Sequence, residues 1–235
     1  MDFIFEPILG LPYGAQAAVA LVFAYLFGAI PFSFIIGKVF FRVSLFKEGS
    51  GNLGAANTFR TLGAKAGIAT LLLDMAKGAI SVYFANHIVS NSGMGATDAG
   101  NWLLVGCAFL AIIGHTASPY IKFRGGKGAA SSAGVMFALV PIVFWVMFVV
   151  FVSGIVITRY VSVGTLAVAF TFPIAMAIFY TNLPFVAFAL MIAVIVPILH
   201  RGNIKRLREG TEPRFAWRNR GLGIRGRSGE SDSAE

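Results

Sequence analysis

Charged residues are scarce in this sequence: only 12% of its 235 residues are Asp, Glu, Lys or Arg, against about a quarter in soluble globular domains. So few charges cannot cover a water-facing surface, which excludes a soluble enzyme and a disordered chain alike. Cysteine is rarer still. The single Cys107 lies in an apolar run, so it forms no intramolecular disulfide, gives no sign of an oxidising environment and reads as a packing thiol. Three scattered histidines and one cysteine make no ligand set, and neither a metal nor a cofactor is expected. Met1 to Gly14 contains Asp2 and Glu6 but no Lys or Arg; without the basic start of a secretory signal, the first apolar stretch is expected to remain as a span. No repeat of solenoid period is visible.

Apolar side chains are abundant. Hydrophobic residues make up 57% of the chain, 23 of them Phe, and the mean hydropathy is +0.79. This is the composition of an all-α, polytopic membrane protein. A formal charge of +9 would suggest nucleic acid in a soluble chain, but here the basic residues first report topology, and no nucleic-acid partner is expected.

A spanning helix needs about 20 apolar residues. Ala15–Gly37, Ala66–Asn86, Asn101–Ser118, Val163–Thr181 and Leu183–Leu199 meet that requirement. The run Ala129–Ile157 is harder, because Pro141 stands near its middle. As one helix it would reach about 43 Å at 1.5 Å per residue, well beyond a hydrocarbon core of about 30 Å. Charge parity arbitrates: if the run is two helices, 18 of the 19 basic residues fall on one face and the last, Lys77, lies inside a span. Lys and Arg collect on the cytoplasmic side. Seven transmembrane helices are therefore expected, with the N-terminus outside, the C-terminus cytoplasmic and a hairpin near Pro141. The reading gives one membrane domain over 1–212 and a disordered basic cytoplasmic tail over 213–235, whose Arg/Gly/Ser-rich composition cannot bury a core.

Three segments on the basic face carry chemistry. Gly49-Ser50-Gly51-Asn52-Leu53-Gly54-Ala55-Ala56-Asn57-Thr58-Phe59-Arg60 sets glycines and hydrogen-bond donors where backbone amides can approach an anion, although an ordinary flexible loop has the same content. Gly114-His115 leads to Gly125-Gly126-Lys127-Gly128 and then to small helix-forming residues; a glycine turn opening a helix presents amides, a dipole end and an ammonium together. It is not a nucleotide-binding phosphate loop, since Gly-x-x-x-x-Gly-Lys-Ser/Thr is absent. His200-Arg201-Gly202-Asn203 leaves the last span with His200 and Asn203 three apart, on one face if helix continues. Lys205, Arg206 and Arg208 fit a stripe along lipid headgroups. Within the second span Asp74 and Lys77 are also three apart, where isolated charges would be costly, and they are expected to pair as a structural clamp.

In order and face, these segments resemble the bacterial acyl-phosphate glycerol-3-phosphate acyltransferases. Ser50-Gly51-Asn52-x-Gly54-Ala55-x-Asn57-x-x-Arg60, Gly114-His115 with Gly125-Gly126-Lys127-Gly128, and His200-Arg201-x-Asn203-Ile204-x-Arg206-Leu207 with Gly210-x-Glu212 are similar to the family's three motifs. Asp74-x-x-Lys77-Gly78 and Thr158-Arg159-Tyr160-Val161-Ser162 stand between them, and the likeness runs from about Ala24 to Glu212. The resemblance implies an enzyme of the bacterial inner membrane, with its active site on the cytoplasmic face. It would move a fatty acyl group from acyl phosphate to position 1 of glycerol 3-phosphate, giving lysophosphatidic acid and phosphate. It implies catalytic roles for Ser50, Arg60, Lys127, His200 and Asn203. Substrate contacts are implied for Asn52, Gly54, Asn57, His115, Gly125, Gly126, Gly128, Arg201 and Glu212, the last more structural than chemical. The implied partners are the two substrates, the lipid bilayer and a separate upstream phosphate acyltransferase docking on the cytoplasmic loops. Two departures stand out: Ser118 occupies a position where the family has Pro, with Pro119 following, and the tail past Pro213 is long.

Acyl phosphate is already activated, so alignment and charge stabilisation suffice and no acyl-enzyme is required. The hydroxyl proton would go either to His200, whose ordinary pKa lies near neutrality, or to the donor's own phosphate. A transporter of phosphorylated metabolites and a lipid-gripping anchor protein are the rival readings. The first is disfavoured because the outside segments hold no phosphate-binding residues; the second would tolerate Lys127→Ala.

Overall fold

The computed structural model describes residues 2–95 and 97–215, so the expected tail lies, beyond residue 215, outside the described residues. Among the described residues every regular element is helical. After α1 (Asp2–Leu9), α2 (Tyr13–Gly28) breaks before Pro31 and resumes as α3 (Phe32–Ile35) and a π turn, Ile36–Phe40. Then come α4 (Ala55–Leu62), α5 (Ala64–Asn91), α6 (Asp98–Thr116), α7 (Ala129–Leu139), α8 (Pro141–Thr158), α9 (Val161–Phe179), α10 (Leu183–Leu199) and α11 (Arg201–Arg208).

Five stretches are long and apolar enough to cross a membrane: Tyr13–Phe40, Ala64–Asn91, Asp98–Ile121, Pro141–Thr158 and Val161–Phe179. A sixth arises if α10 and α11, which meet at a 58° bend, are counted together. The break expected at Pro141 is present. Pro141 takes the first position of α8, where its missing N–H costs nothing, and Val140 before it leaves the helical region at φ −141°. The preceding helix α7 has only 11 residues, about 16 Å of rise, half a hydrocarbon core.

Glycines bring the helices of the site into backbone contact, as small residues do inside membranes. A methyl on Gly78 of α5 would strike the Ser131 carbonyl of α7, and one on Gly134 of α7 would strike the Met75 carbonyl of α5. Gly28 and Gly114 make the same reciprocal approach between α2 and α6, against Ala111 and Tyr25. Cys107 is fully buried in the cluster of Ala20, Ala24, Ala85 and Ile88 and is a packing thiol. One segment read as loop is helical: α4 forms between Gly54 and Gly63, the latter at φ +89°, so two glycines delimit two turns that begin with Ala55-Ala56.

Asp74 and Lys77 pair as their spacing predicts, 2.9 Å apart and each 1% exposed. The ammonium also donates to the Ile30 carbonyl at 2.7 Å, at the break between α2 and α3, so the pair ties α5 to that break. Asp74→Asn leaves a buried cation short of its counter-charge and is expected to lower stability by about 3 kcal/mol. Unfolding in detergent checks this. The double change Asp74→Leu with Lys77→Met should lose less than the single one, because no unpaired charge remains.

Candidate active site

The three motif segments converge at one end of the bundle. In the first, Asn57 is 2% exposed and spends its side chain on the loop: its Oδ1 accepts the Ser50 N–H at 2.8 Å, and its Nδ2 donates to the Glu48 carbonyl at 3.1 Å. Gly49 and Gly51 adopt φ +59° and +68°, which side chains resist. The loop thus delivers Ser50 and Asn52, and α4 delivers Arg60.

The second segment begins where α6 ends. The Gly125 N–H donates to the Thr116 carbonyl at 3.1 Å and the Gly126 N–H to the His115 carbonyl at 3.2 Å. This folds the glycine run back on the helix end, and left-handed Gly128, at φ +77°, opens α7. Ser118 holds the preceding bend by its hydroxyl, which donates to the Ala29 carbonyl at 2.6 Å, a tie that proline could not make. The third segment turns at His200. Pro197 lies in the last turn of α10, and the 58° bend swings α11 across the end of the bundle.

A cavity of about 240 Å³ opens between these segments. Its polar end is lined by Ser50, Asn52, Arg60, Lys127, Asn203 and Arg206. It continues into an apolar shaft walled by Phe144, Met147, Phe151, Phe172 and Phe188. Gly54, Asn57, His115, Gly128, His200 and Glu212 also line it. Gly125 and Gly126 do not, and their N–H groups hold the turn against the end of α6; Arg201 is exposed and outside the lining.

Among the lining residues without a site role in the sequence reading are Ser162, Arg206 and Asp74. Ser162 belongs to the Thr158–Ser162 block that the resemblance noted without a function. Arg206 fits a lipid-headgroup stripe by composition, yet it shares a helix face with Asn203 at i, i+3. Asp74 sits with its Oδ1 3.5 Å from His115 Nδ1, a proximity across 41 positions that no local signal announces.

Glu212 organises the polar end. It accepts hydrogen bonds from Ser162 Oγ at 2.7 Å, Asn203 Nδ2 at 2.6 Å and Arg206 Nε at 2.8 Å. By taking the Nδ2 of Asn203, it turns Oδ1 toward Lys127, whose ammonium donates to it. Burial pulls the Glu212 carboxyl up, but the bonds from Asn203, Ser162 and Arg206 outweigh it and hold the carboxyl below its ordinary range. Burial, with Arg206 and Arg60 adding repulsion against the pull of Glu212, lowers the Lys127 ammonium to about 8. His200 is 4% exposed, and burial lowers its pKa to about 4 despite the support of the Val196 carbonyl. With Nδ1 2.9 Å from that carbonyl, Nδ1 carries the proton and Nε2 keeps a lone pair. The polar end is a cationic cradle, fit for phosphate groups.

Fold and site together define a multi-pass, all-helical integral membrane protein whose cavity suits an amphiphile with an anionic head. The family description "Glycerol-3-phosphate acyltransferase" matches residues 18–210. Glycerol-3-phosphate acyltransferases of Staphylococcus aureus strains JH9 and Newman are 38% identical over 200 residues, covering 85% of this chain and 98% of theirs. The crystal structure of PlsY (YgiH), an integral membrane glycerol 3-phosphate acyltransferase, in its glycerol 3-phosphate form is similar with a TM-score of 0.78 at 32% identity, over 86% of this chain and 96% of that one. Its lysophosphatidic acid form gives 0.75 at 31% identity, with the same coverage. The chain belongs to the glycerol-3-phosphate acyltransferase family.

Proposed function

We propose that this protein transfers a fatty acyl group from acyl phosphate to the 1-hydroxyl of glycerol 3-phosphate, releasing lysophosphatidic acid and inorganic phosphate. One observation carries the reading: the cations Arg60, Lys127 and Arg206 surround the polar end of a cavity whose other part is an apolar shaft. A cationic end suits phosphate groups and an apolar shaft suits an acyl chain, which supports this pair of substrates. The distribution of basic residues supports seven crossings, α7 being a short one, within a single membrane domain over 1–212. It also supports an outside N-terminus and a site open to the cytoplasm across the inner membrane.

In the reaction the glycerol oxygen bonds to the acyl carbon, the carbon–oxygen bond to phosphate breaks, and the hydroxyl proton must be taken up. Lys127, Arg60 and Arg206 neutralise the phosphates, while Ser50, Asn52 and the backbone amides opening α7 add donors. His200, neutral and with Nε2 free to accept, aligns the hydroxyl. With its pKa near 4 it is a weaker base than a phosphate, whose second pKa is about 6, so the leaving phosphate takes the proton. His200→Gln is therefore expected to lower kcat only about tenfold, and kcat/KM should show no inflection from His200 between pH 5 and 7. A general base would be worth about 10²–10⁴-fold; a loss of that size would make His200 the base.

The reading is tested by phosphate release from palmitoyl phosphate with and without glycerol 3-phosphate, in detergent or lipid mesophase. Release should require both substrates and yield lysophosphatidic acid. A folded sample that releases none would discard the reading and turn attention to uptake of phosphorylated metabolites into vesicles. Docking of the upstream phosphate acyltransferase on the exposed basic loops is a corollary, checked by co-purification from membranes.

A further inference from the structure

The family match ends at residue 210, but the next residues do not leave the site. Glu212 is anchored as above, and Pro213 stands in the cavity lining. The Arg214 guanidinium lies 5.9 Å from the centre of the Tyr160 ring, and its Nε–H donates to the Tyr160 hydroxyl at 3.3 Å. The Phe215 N–H donates to the Arg159 carbonyl at 2.6 Å, in the turn that left-handed Arg159, φ +63°, makes between α8 and α9. The Phe215 ring lies 5.5 Å from that of Phe59. Phe59 precedes Arg60 in α4 and also packs on Gly67 of α5. Four residues therefore link α11, the α8–α9 turn and the helix that carries Arg60.

We infer that Phe215 is a positioning residue for Arg60, and through Arg60 for the binding of glycerol 3-phosphate. The inference rests on the function proposed above. Helix α4 has only eight residues between two glycines, too short to be held by its own hydrogen bonds, so its placement depends on what packs against it. Arg60 is exposed, and a long exposed side chain has no fixed position of its own. The acyl donor has a second anchor, its chain in the apolar shaft. Glycerol 3-phosphate has none beyond its phosphate and hydroxyls, so a misplaced guanidinium weakens that substrate first.

The test measures phosphate release from palmitoyl phosphate over a range of glycerol 3-phosphate concentrations, for the parent chain, Phe215→Ala and Phe215→Tyr. Phe215→Ala is expected to raise KM for glycerol 3-phosphate about fivefold, the scale of a lost aromatic contact, with kcat within about twofold. Phe215→Tyr should restore the parent KM. Adding Phe215→Ala to Phe59→Ala should change KM no further, because both remove one contact. Thermal stabilisation of each variant by glycerol 3-phosphate gives the same ordering independently of turnover. An unmoved KM in an active Phe215→Ala variant overturns the inference alone, as does a fall in kcat at constant KM. Absence of turnover in the parent chain overturns the function and the inference together.

Discussion

Lys127→Ala is expected to reduce kcat/KM by about a thousandfold, close to 4 kcal/mol of transition-state stabilisation. The ammonium stands among Arg60, Arg206 and the Asn203 carbonyl oxygen at the polar end of the cavity, where in the proposed reaction the leaving phosphate would develop charge away from bulk water. One preorganised donor at such a place is worth about 10²–10³-fold, and a full charge facing two phosphates reaches the top of that range. The pH profile offers a second reading. Burial and the neighbouring guanidinium groups lower the Lys127 pKa to about 8, so the free protein holds the charged form below pH 8 and loses it above. Since kcat/KM reports groups of the free enzyme, it should be level toward neutrality and fall about tenfold per unit beyond pH 8. Lys127→Arg should abolish that alkaline limb whatever its rate, because a guanidinium does not titrate there. A Lys127→Ala protein within tenfold of the parent would remove Lys127 from the chemistry.

Much of this architecture was legible from the chain. Apolar runs marked five of the seven expected spans, and a sixth if α10 and α11 count together; Pro141 marked the break, and the i, i+3 spacing of Asp74 and Lys77 their pairing, because each depends on local geometry or on bilayer thickness. Counting basic residues places the three motifs on one face, and in the structure all three line one cavity. What escaped depended on contacts between distant segments. Glu212 becomes the hub of the polar end because the bend at His200 carries α11 toward Ser162, 50 residues earlier; no periodicity foretells a 58° bend. The same bend brings Arg206 into the cavity lining and leaves Arg201 exposed and outside it, a difference that their shared positive charge does not announce. Asn57 lines the cavity but has committed its amide to the backbone of its own loop, a distinction that composition cannot make. The Phe residues of the shaft look like every other Phe in an apolar span until the helices are packed.

Gly126→Ala tests how the first and second motif loops meet. The added methyl would run into the Leu53 carbonyl oxygen and the His115 imidazole at once. Neither can swing aside cheaply: Leu53 is backbone of the first motif loop and 3% exposed, and the His115 ring, 7% exposed, is wedged against Asp74. The methyl must therefore push the loop carrying Ser50 away from the loop carrying Lys127. A displacement of about 1 Å between groups that act together costs on the order of 100-fold, so kcat/KM should fall at least that far. Gly14→Ala is the matched control: nothing lies within 4 Å of the position a Cβ would take there, it is in helix α2, and Ala is preferred over Gly in helices by about 1 kcal/mol. Its activity should equal the parent's. The comparison that decides the cause is activity against melting temperature. If the loops merely separate, Gly126→Ala loses rate while keeping most of its stability, because the span contacts at Gly78 and Gly134 that hold α5 and α7 together are untouched. Equal losses of both would mean that Gly126 supports the bundle as a whole, and activity within threefold of the parent would mean that the two loops are not in tight contact at all.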